Sequence, residues 1–431
     1  MTKTSPFRTK KSVIVGLDPT IKVRKKMEKE KYTQRNKYST VKIVENKIVS
    51  FDKTDAIQYS FRVYKDGFAG IHYQQGKMSD EEGFAKAEKN LELKRPYPFE
   101  LETGIRSRDK TEKPLTDEEL MSTAEKVLKY LHKKYPDYTF NGNVGTSLWD
   151  EHVENSRGMD YSCKDGNSVI GLSFKHKDSK DISDGYINFN QRTIKLRQFY
   201  KIADNFLENF TKTLPMPEEC IIVDKYYDYT GKLRESLSLE KLKLGTSLLS
   251  GKVGQKLFSD DLTVLHDVSD KNTWMASFWD GDGVVPKGDK VYFIKNGKLL
   301  RGYCDKKIAN KFRTKTTGNA GCNYSDIPGG NFNSMTLKIG NKSVKELLNG
   351  KLGIIPVQSF GGGFKEKGEY TMPVQIGLLT DGEKILGRVP PFTISTNMFD
   401  MFGKDFIGVA KYNKEIFNDK VMLFKCQVGK L

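Results

Sequence analysis

Four tight-turn signals, each flanked by residues that alternate in polarity, constrain this chain more than any other feature. T-V-K-I-V-E-N-K-I-V-S at 40–50 alternates about Glu45 and Asn46, and R-V-Y-K-D-G-F-A-G-I at 62–71 alternates about Asp66-Gly67. Asn296-Gly297 and Asp381-Gly382 repeat the device in the second half. Asn-Gly and Asp-Gly pairs supply the positive φ angles a two-residue hairpin demands, so each marks an antiparallel strand pair. Helical signals stand among them. Residues 81 to about 95 read as a helix opening on acids, which suit the positive end of its dipole. T-D-E-E at 116–119 forms a capping box, and Leu120, Ala124, Val127 and Leu131 then recur on one face up to Pro136. Residues 196–212 carry Phe199, Ile202, Phe206 and Phe210 along one stripe, which reads as core. Residues 238–249 read as a further helix, and S-V-K-E at 343–346 is a second capping box with Gly350 as its stop.

The expected fold is therefore α+β, with mainly antiparallel or mixed sheets flanked by helices. T-L-P-M-P-E-E at 213–219 has two prolines and no periodicity, and C-I-I-V-D after it reads as a short buried strand. The expected organisation is a basic leader over 1–40, an α+β domain over 41–214 and a sheet-rich domain over 215–431.

The net charge of +17 is concentrated near the start, where residues 1–40 hold 12 Lys/Arg against 3 Asp/Glu. That stretch lacks apolar periodicity and interleaved aromatics, so it reads as a solvated leader; an arm for nucleic acid or another polyanion is the alternative. No apolar run approaches the length of a membrane span, and no signal-peptide core opens the chain. Cys163, Cys220, Cys304, Cys322 and Cys426 are scattered, without a C-x-x-C pair. Reduced thiols in a cytoplasmic protein are the expectation.

The five histidines, His72, His132, His152, His176 and His266, stand far apart, and no H-E-x-x-H occurs. G-T-S-L-L-S-G-K-V at 245–253 imitates a phosphate loop but has one residue too many between its glycines and a valine where a hydroxyl is required. Gly361-Gly362-Gly363 is too short for a dinucleotide fingerprint. Asp280 and Asp282 could serve as an acid and base or hold a cation, but in a turn such carboxylates more often accept backbone hydrogen bonds.

The second half carries a more specific series of motifs. F-W-D-G-D-G-V at 278–284, K-N-G-K-L-L-R-G-Y at 295–303, K-T-T-G-N-A-G at 315–321 and G-T-S-L-L-S-G-K-V-G-Q-K-L-F at 245–258 resemble, in order and spacing, the TldD/PmbA family of zinc peptidases, once called modulators of DNA gyrase. The likeness runs from about Val41 to the C-terminus. The first motif departs from the family's D-D-E-G-V at Gly281 and Asp282. The resemblance assigns Asp280, Asp282, Gly283, Thr317, Gly318, Asn319, Gly361 and Gly362 as family-motif positions, structural or in contact with substrate. Catalytic family members carry H-E-x-x-x-H before the 245–258 segment and a cysteine near the C-terminus. Here the two histidine positions fall at Thr230 and Glu235 and the acid at Gly231, while residues 410–419 have no C-G-K element. Threonine, glycine and a lone glutamate cannot hold zinc or activate its water. Cys426 reads as a packing residue instead. The resemblance thus implies the PmbA/TldE-like branch, with no catalytic residue, metal or cofactor in this chain. It implies zinc in a TldD-like partner subunit, an extended or unfolded peptide as substrate, and heterodimeric assembly, with a homodimer as the alternative. Two rival functions remain: a self-sufficient peptidase or hydrolase using Asp280, Asp282 or Glu235, and a nucleic-acid-associated protein.

Overall fold

A computed structural model describes residues 26–431 except 273, 322–324, 333, 411–415 and 417–419. The chain folds as two large sheets with helices against them, an α+β architecture. The first sheet is built from β1 (Glu28–Val44), β2 (Lys47–Lys65), β3 (Phe68–Gln75), β4 (Arg95–Pro96), β5 (Gly104–Asp109), β6 (Tyr138–Asn155), β7 (Met159–His176) and β8 (Gly185–Gln191). Its order is β4-β3-β2-β1-β6-β7-β5, with β8 also paired to β7. Three helices accompany it: α1 (Asp80–Lys89), α2 (Asp117–Lys134) and α3 (Leu196–Leu207).

The expected turns close these pairs. Glu45 and Asn46 take φ of 46° and 66°, and Asp66 and Gly67 take 53° and 82°, the positive values a tight hairpin requires. Thr116 and Glu119 exchange the two bonds of the capping box at the start of α2. Helix α3 stops at Leu207, short of residue 212, but Phe199, Ile202 and Phe210 are buried as the stripe implies.

The basic leader is corrected from Glu28 onward. There the chain is already β1, paired to β2 on one side and β6 on the other. The charged residues survive in a central strand because some, such as Arg35, Lys37 and Lys42, stay exposed and neighbours cover others. Lys31 lies over the Tyr59 ring at 5.5 Å and pairs with Asp80 at 2.7 Å, while Glu30 is buried with Arg62. Residues 1–25 of that leader lie outside the described residues.

The second half comprises β9 (Ile221–Lys225), α4 (Gly231–Ser236), α5 (Leu239–Leu244), β10 (Val264–Asp267), β11 (Lys290–Lys295), β12 (Lys298–Leu299), α6 (Lys306–Lys311), β13 (Ala320–Gly321), β14 (Gly329–Gly330) and β15 (Met335–Leu337). It continues through α7 (Val344–Leu348), β16 (Gly353–Ser359), β17 (Gly363–Phe364), β18 (Glu369–Thr380), β19 (Ile385–Val389), β20 (Phe392–Asn397), α8 (Met398–Phe402), β21 (Phe406–Val409), β22 (Val421–Lys425) and β23 (Gln427–Lys430). The second large sheet runs β21-β22-β9-β16-β18-β20-β23, with β17 and β19 also paired to β18. Helix α5 covers only the first part of the stretch expected over 238–249, because Gly245 turns left-handed (φ 80°) and ends it.

The proline-rich stretch 213–219 does not separate two cores. One hydrophobic cluster takes Val41, Val127, Phe140, Ile187 and Phe210 from before it and Ile221, Val223, Ile376, Leu378 and Leu423 from after it. The Leu214 N–H donates to the Arg388 carbonyl at 2.8 Å, tying the connection itself to the second sheet. Among the described residues no helix is long and apolar enough to cross a membrane.

Candidate functional site

A cavity of about 720 Å³ lies against both large sheets. From the first sheet comes the outer face of β8, where Tyr186, Asn188 and Asn190 alternate with the buried Ile187 and Phe189. Among the described strands, β8 pairs only with β7, so its other edge carries no strand. The second sheet contributes Asp224 and Lys225 at the end of β9, Ile355 to Val357 of β16, and Tyr370 and Met372 of β18. Tyr227, Asp228 and Gly231 close one side, and Gly361 to Phe364 another.

Asp224 is a strongly perturbed group here. Its Oδ2 accepts from the Tyr229 hydroxyl at 2.9 Å, and its Oδ1 from the Lys225 backbone N–H at 2.7 Å. Burial pushes the carboxyl up to about 7, and the Asp228 charge adds to the rise, against the stabilising hydrogen bonds. The carboxylate is enclosed by protein yet still reached by solvent from the cavity. Burial and then Asp224 push the Tyr229 phenol far above its usual range; its ring packs on Tyr370 and Phe424.

Helix α4 and its N-cap Thr230 carry the positions that the sequence resemblance matched to a metal motif. Thr230 is buried, and its hydroxyl donates to the Tyr227 carbonyl at 3.4 Å. Gly231 faces the cavity without a side chain. Glu235 turns away, ion-paired to Lys232 at 3.0 Å and Lys241 at 2.6 Å, which together hold its carboxyl below the usual range. This donor set does not fit zinc, and among the described residues no three His, Cys, Asp or Glu side chains converge as a metal set.

Gly361 and Gly362 stand opposite α4 on the cavity wall, with φ of 74° and 91°. A Cβ on Gly362 would meet the Thr371 carbonyl at 2.4 Å, so the close approach of this loop to β18 requires glycine.

The remaining motif positions form a separate cluster. Asp280 Oδ1 accepts from the N–H groups of Asp282 (3.0 Å) and Val284 (2.8 Å), and its Oδ2 from Ala320 N–H (2.9 Å). Burial, then the neighbouring Asp282, pushes the Asp280 carboxyl well above the usual range. Asp282 accepts from the Tyr97 hydroxyl at 2.7 Å and the Lys306 N–H at 3.0 Å. Gly283 turns with φ 76°, where a Cβ would meet Met159 Sδ at 2.9 Å. The Thr317 oxygen accepts from the Cys304 N–H at 2.7 Å and lies 2.9 Å from Asn319 Oδ1. Gly318 turns over Pro286 with φ 69°. Buried Arg62 and Tyr32 of the first sheet both donate to the Gly281 carbonyl, at 3.3 Å each. Asp280, Gly318 and Asn319 also line a smaller cavity of about 300 Å³.

The structure thus brings Gly231, Gly361 and Gly362 to one cavity, with Thr230 buried beside Gly231, and Asp280, Asp282, Gly283, Thr317, Gly318 and Asn319 to another region, with Glu235 in neither. Asp224, Asp228, Tyr370 and the face of β8 were missed. The run D-K-Y-Y-D-Y at 224–229 was the one local signal, since it packs two acids among tyrosines just before Thr230. Among the thiols, Cys163, Cys220, Cys304 and Cys426 are free, and Cys426 Sγ lies 3.5 Å from Cys220 Sγ; Cys322 lies outside the described residues.

Three comparisons bear on this arrangement. Residues 230–421 match the model of the PmbA/TldA metallopeptidase C-terminal domain. An uncharacterized protein of Methanocaldococcus jannaschii is 24% identical over 281 residues, covering 62% of this chain and 64% of that protein, less than two thirds of its length. Among solved structures, TldE from Thermococcus kodakarensis superposes with a TM-score of 0.73 at 19% identity, over 93% of this chain and 96% of that one. A Thermotoga maritima protein, named as a candidate modulator of a DNA gyrase, gives 0.70 at 20% identity over 94% and 96%. These two share the fold with the chain described here.

Proposed function

Because the chain belongs to the TldD/PmbA family, we propose that it is the PmbA/TldE-like, non-catalytic subunit of a cytoplasmic heterodimeric peptidase whose zinc resides in a TldD-like partner. Its part is to wall the substrate chamber and hold an extended peptide. The observation that carries this reading is the cavity itself. It combines the edge of β8 that meets no other described strand, where a peptide strand can add, with Gly231 of α4, which stands where a metal-binding residue type would be needed. Thr230, Gly231 and Glu235 do not make a set that holds zinc and activates its water, so bond cleavage is assigned to the partner.

The rival reading, a self-sufficient hydrolase, is disfavoured by the carboxylates it would use. Asp280 and Asp282 are occupied by backbone N–H groups and a tyrosine, and Glu235 by two lysines. The test is to recover the tagged chain from its native cell, identify its partners by mass, and measure zinc and peptide cleavage. Co-purification of an H-E-x-x-x-H protein, with activity only in the mixture, is expected. A chain that cleaves peptides alone, or holds stoichiometric zinc, refutes the proposal.

A further inference from the structure

We propose that the large cavity selects a cationic group on its ligand, with Asp224 and Asp228 as counter-charges and the surrounding aromatic rings as walls. This rests on the peptide-holding reading above and specifies the kind of peptide.

The charge contrast is the first observation. The chain carries a net charge of +17, yet among the described residues the charged ones lining this cavity are Asp224, Asp228 and Lys225. The second is the way Asp224 is held. Its two oxygens take bonds from a phenol and a backbone N–H, both neutral donors, so its charge is solvated but not cancelled. An enclosed carboxylate of this kind gains most from a cation delivered by a ligand, because water has already been partly removed. The third is the wall. Tyr186 and Tyr227 are half exposed, and Phe364, Tyr370 and Trp274 complete an aromatic rim. Tyr227 already carries the Lys225 ammonium 5.8 Å from its ring centroid, so this wall accommodates an ammonium.

Among the described residues, few groups face Asp224. Lys225 stands beside it on β9, Asp228 and Tyr229 follow in the next turn, and Tyr370 approaches from β18; the register partner on β22 is the apolar Met422. Its carboxyl, raised to about 7, is half ionised near neutrality. Only the ionised form attracts a cation, so affinity for a cationic ligand rises as pH increases through 7 and falls below it.

A lysine or arginine side chain and a free peptide amino terminus offer the same chemistry. The experiment measures binding of fluorescein-labelled hexapeptides to the full-length chain by anisotropy. The peptides differ only in a central lysine, norleucine or glutamate, and the norleucine peptide is made with a free and with an acetylated amino terminus. The lysine peptide, or the free-amine norleucine peptide, is expected to bind about tenfold more tightly than acetylated norleucine. That ratio falls towards one in Asp224→Asn and in the exposed Asp228→Asn, which serves should the first variant fold poorly. Between pH 6 and pH 8 the affinity of the favoured peptide rises by nearly an order of magnitude, roughly following the ionised fraction. Equal binding of all peptides, or preference for glutamate, overturns the cation inference alone. Failure of every peptide to bind overturns the peptide-holding reading beneath it.

Discussion

Replacing Asp224 by asparagine isolates the free energy of placing a carboxylate at the base of this cavity. The carboxyl titrates near 7 in the folded chain against 3.8 for the ordinary group, because burial disfavours the charge. A group raised in this way is matched between folded and unfolded chains only while both are protonated, below about pH 3.8. As pH rises from there towards 7 the unfolded chain loses its proton first, so folded stability falls, and above 7 the loss levels off. At about 1.4 kcal/mol per unit the whole loss is at most about 4 kcal/mol, and solvent access from the cavity makes the true value smaller. Asparagine does not titrate, so the stability of the variant relative to the parent should climb by about 2–3 kcal/mol between pH 5 and pH 8. Its weaker bonds to Tyr229 and Lys225 add only a constant offset. Urea unfolding of both proteins at pH 5, 6, 7 and 8 reads the difference. A gap that stays flat with pH, or narrows, would show that Asp224 is not held in a desolvated place.

Two further substitutions probe the frame around the cavity. Phe210→Ala removes a fully buried ring that packs on Phe174 at 5.0 Å and under the Arg388 guanidinium at 4.8 Å, so it should cost about 3–5 kcal/mol. Because that ring belongs to a core shared by both halves, calorimetry should show one transition moving as a whole; movement of only one of two transitions would contradict the shared core. Gly362→Ala should cost about 2–4 kcal/mol, from a disfavoured φ of 91° plus the clash with the Thr371 carbonyl. Gly361→Ala, with a similar φ but open space around its Cβ, should cost only about 1–2 kcal/mol in the same urea series.

What the sequence disclosed was local. The hairpins at Asp66-Gly67 and Asn296-Gly297 and the two capping boxes are read from neighbouring residues, and each forms through bonds among those same residues. Strand β1 was hidden because its pairing is by backbone to two long neighbours, which tolerate lysine and glutamate where rings and counter-charges cover them. The cavity was hidden for a different reason. Its walls come from 186–190, 224–231 and 355–372, and only the packing of one sheet against the other brings them together. Gly231, Gly361 and Gly362 were visible in separate motifs without any sign that they line one cavity.

The two motif clusters also differ in how their polar atoms are used, and that difference separates scaffold from site. Around Asp280 every oxygen receives an N–H from its own loop or the loop at 317–320, and Gly281 is gripped by Arg62 and Tyr32 of the first sheet. Such a cluster fixes how the halves meet and commits three of the about four lone-pair sites of the Asp280 carboxylate to backbone N–H groups. Around Asp224 the donors are neutral and the neighbours include open space. A Cβ built on Gly231 meets nothing within 4 Å, and its φ is not positive, so neither packing nor backbone geometry imposes glycine there. The room at Gly231 is therefore a property of the cavity rather than a demand of the fold.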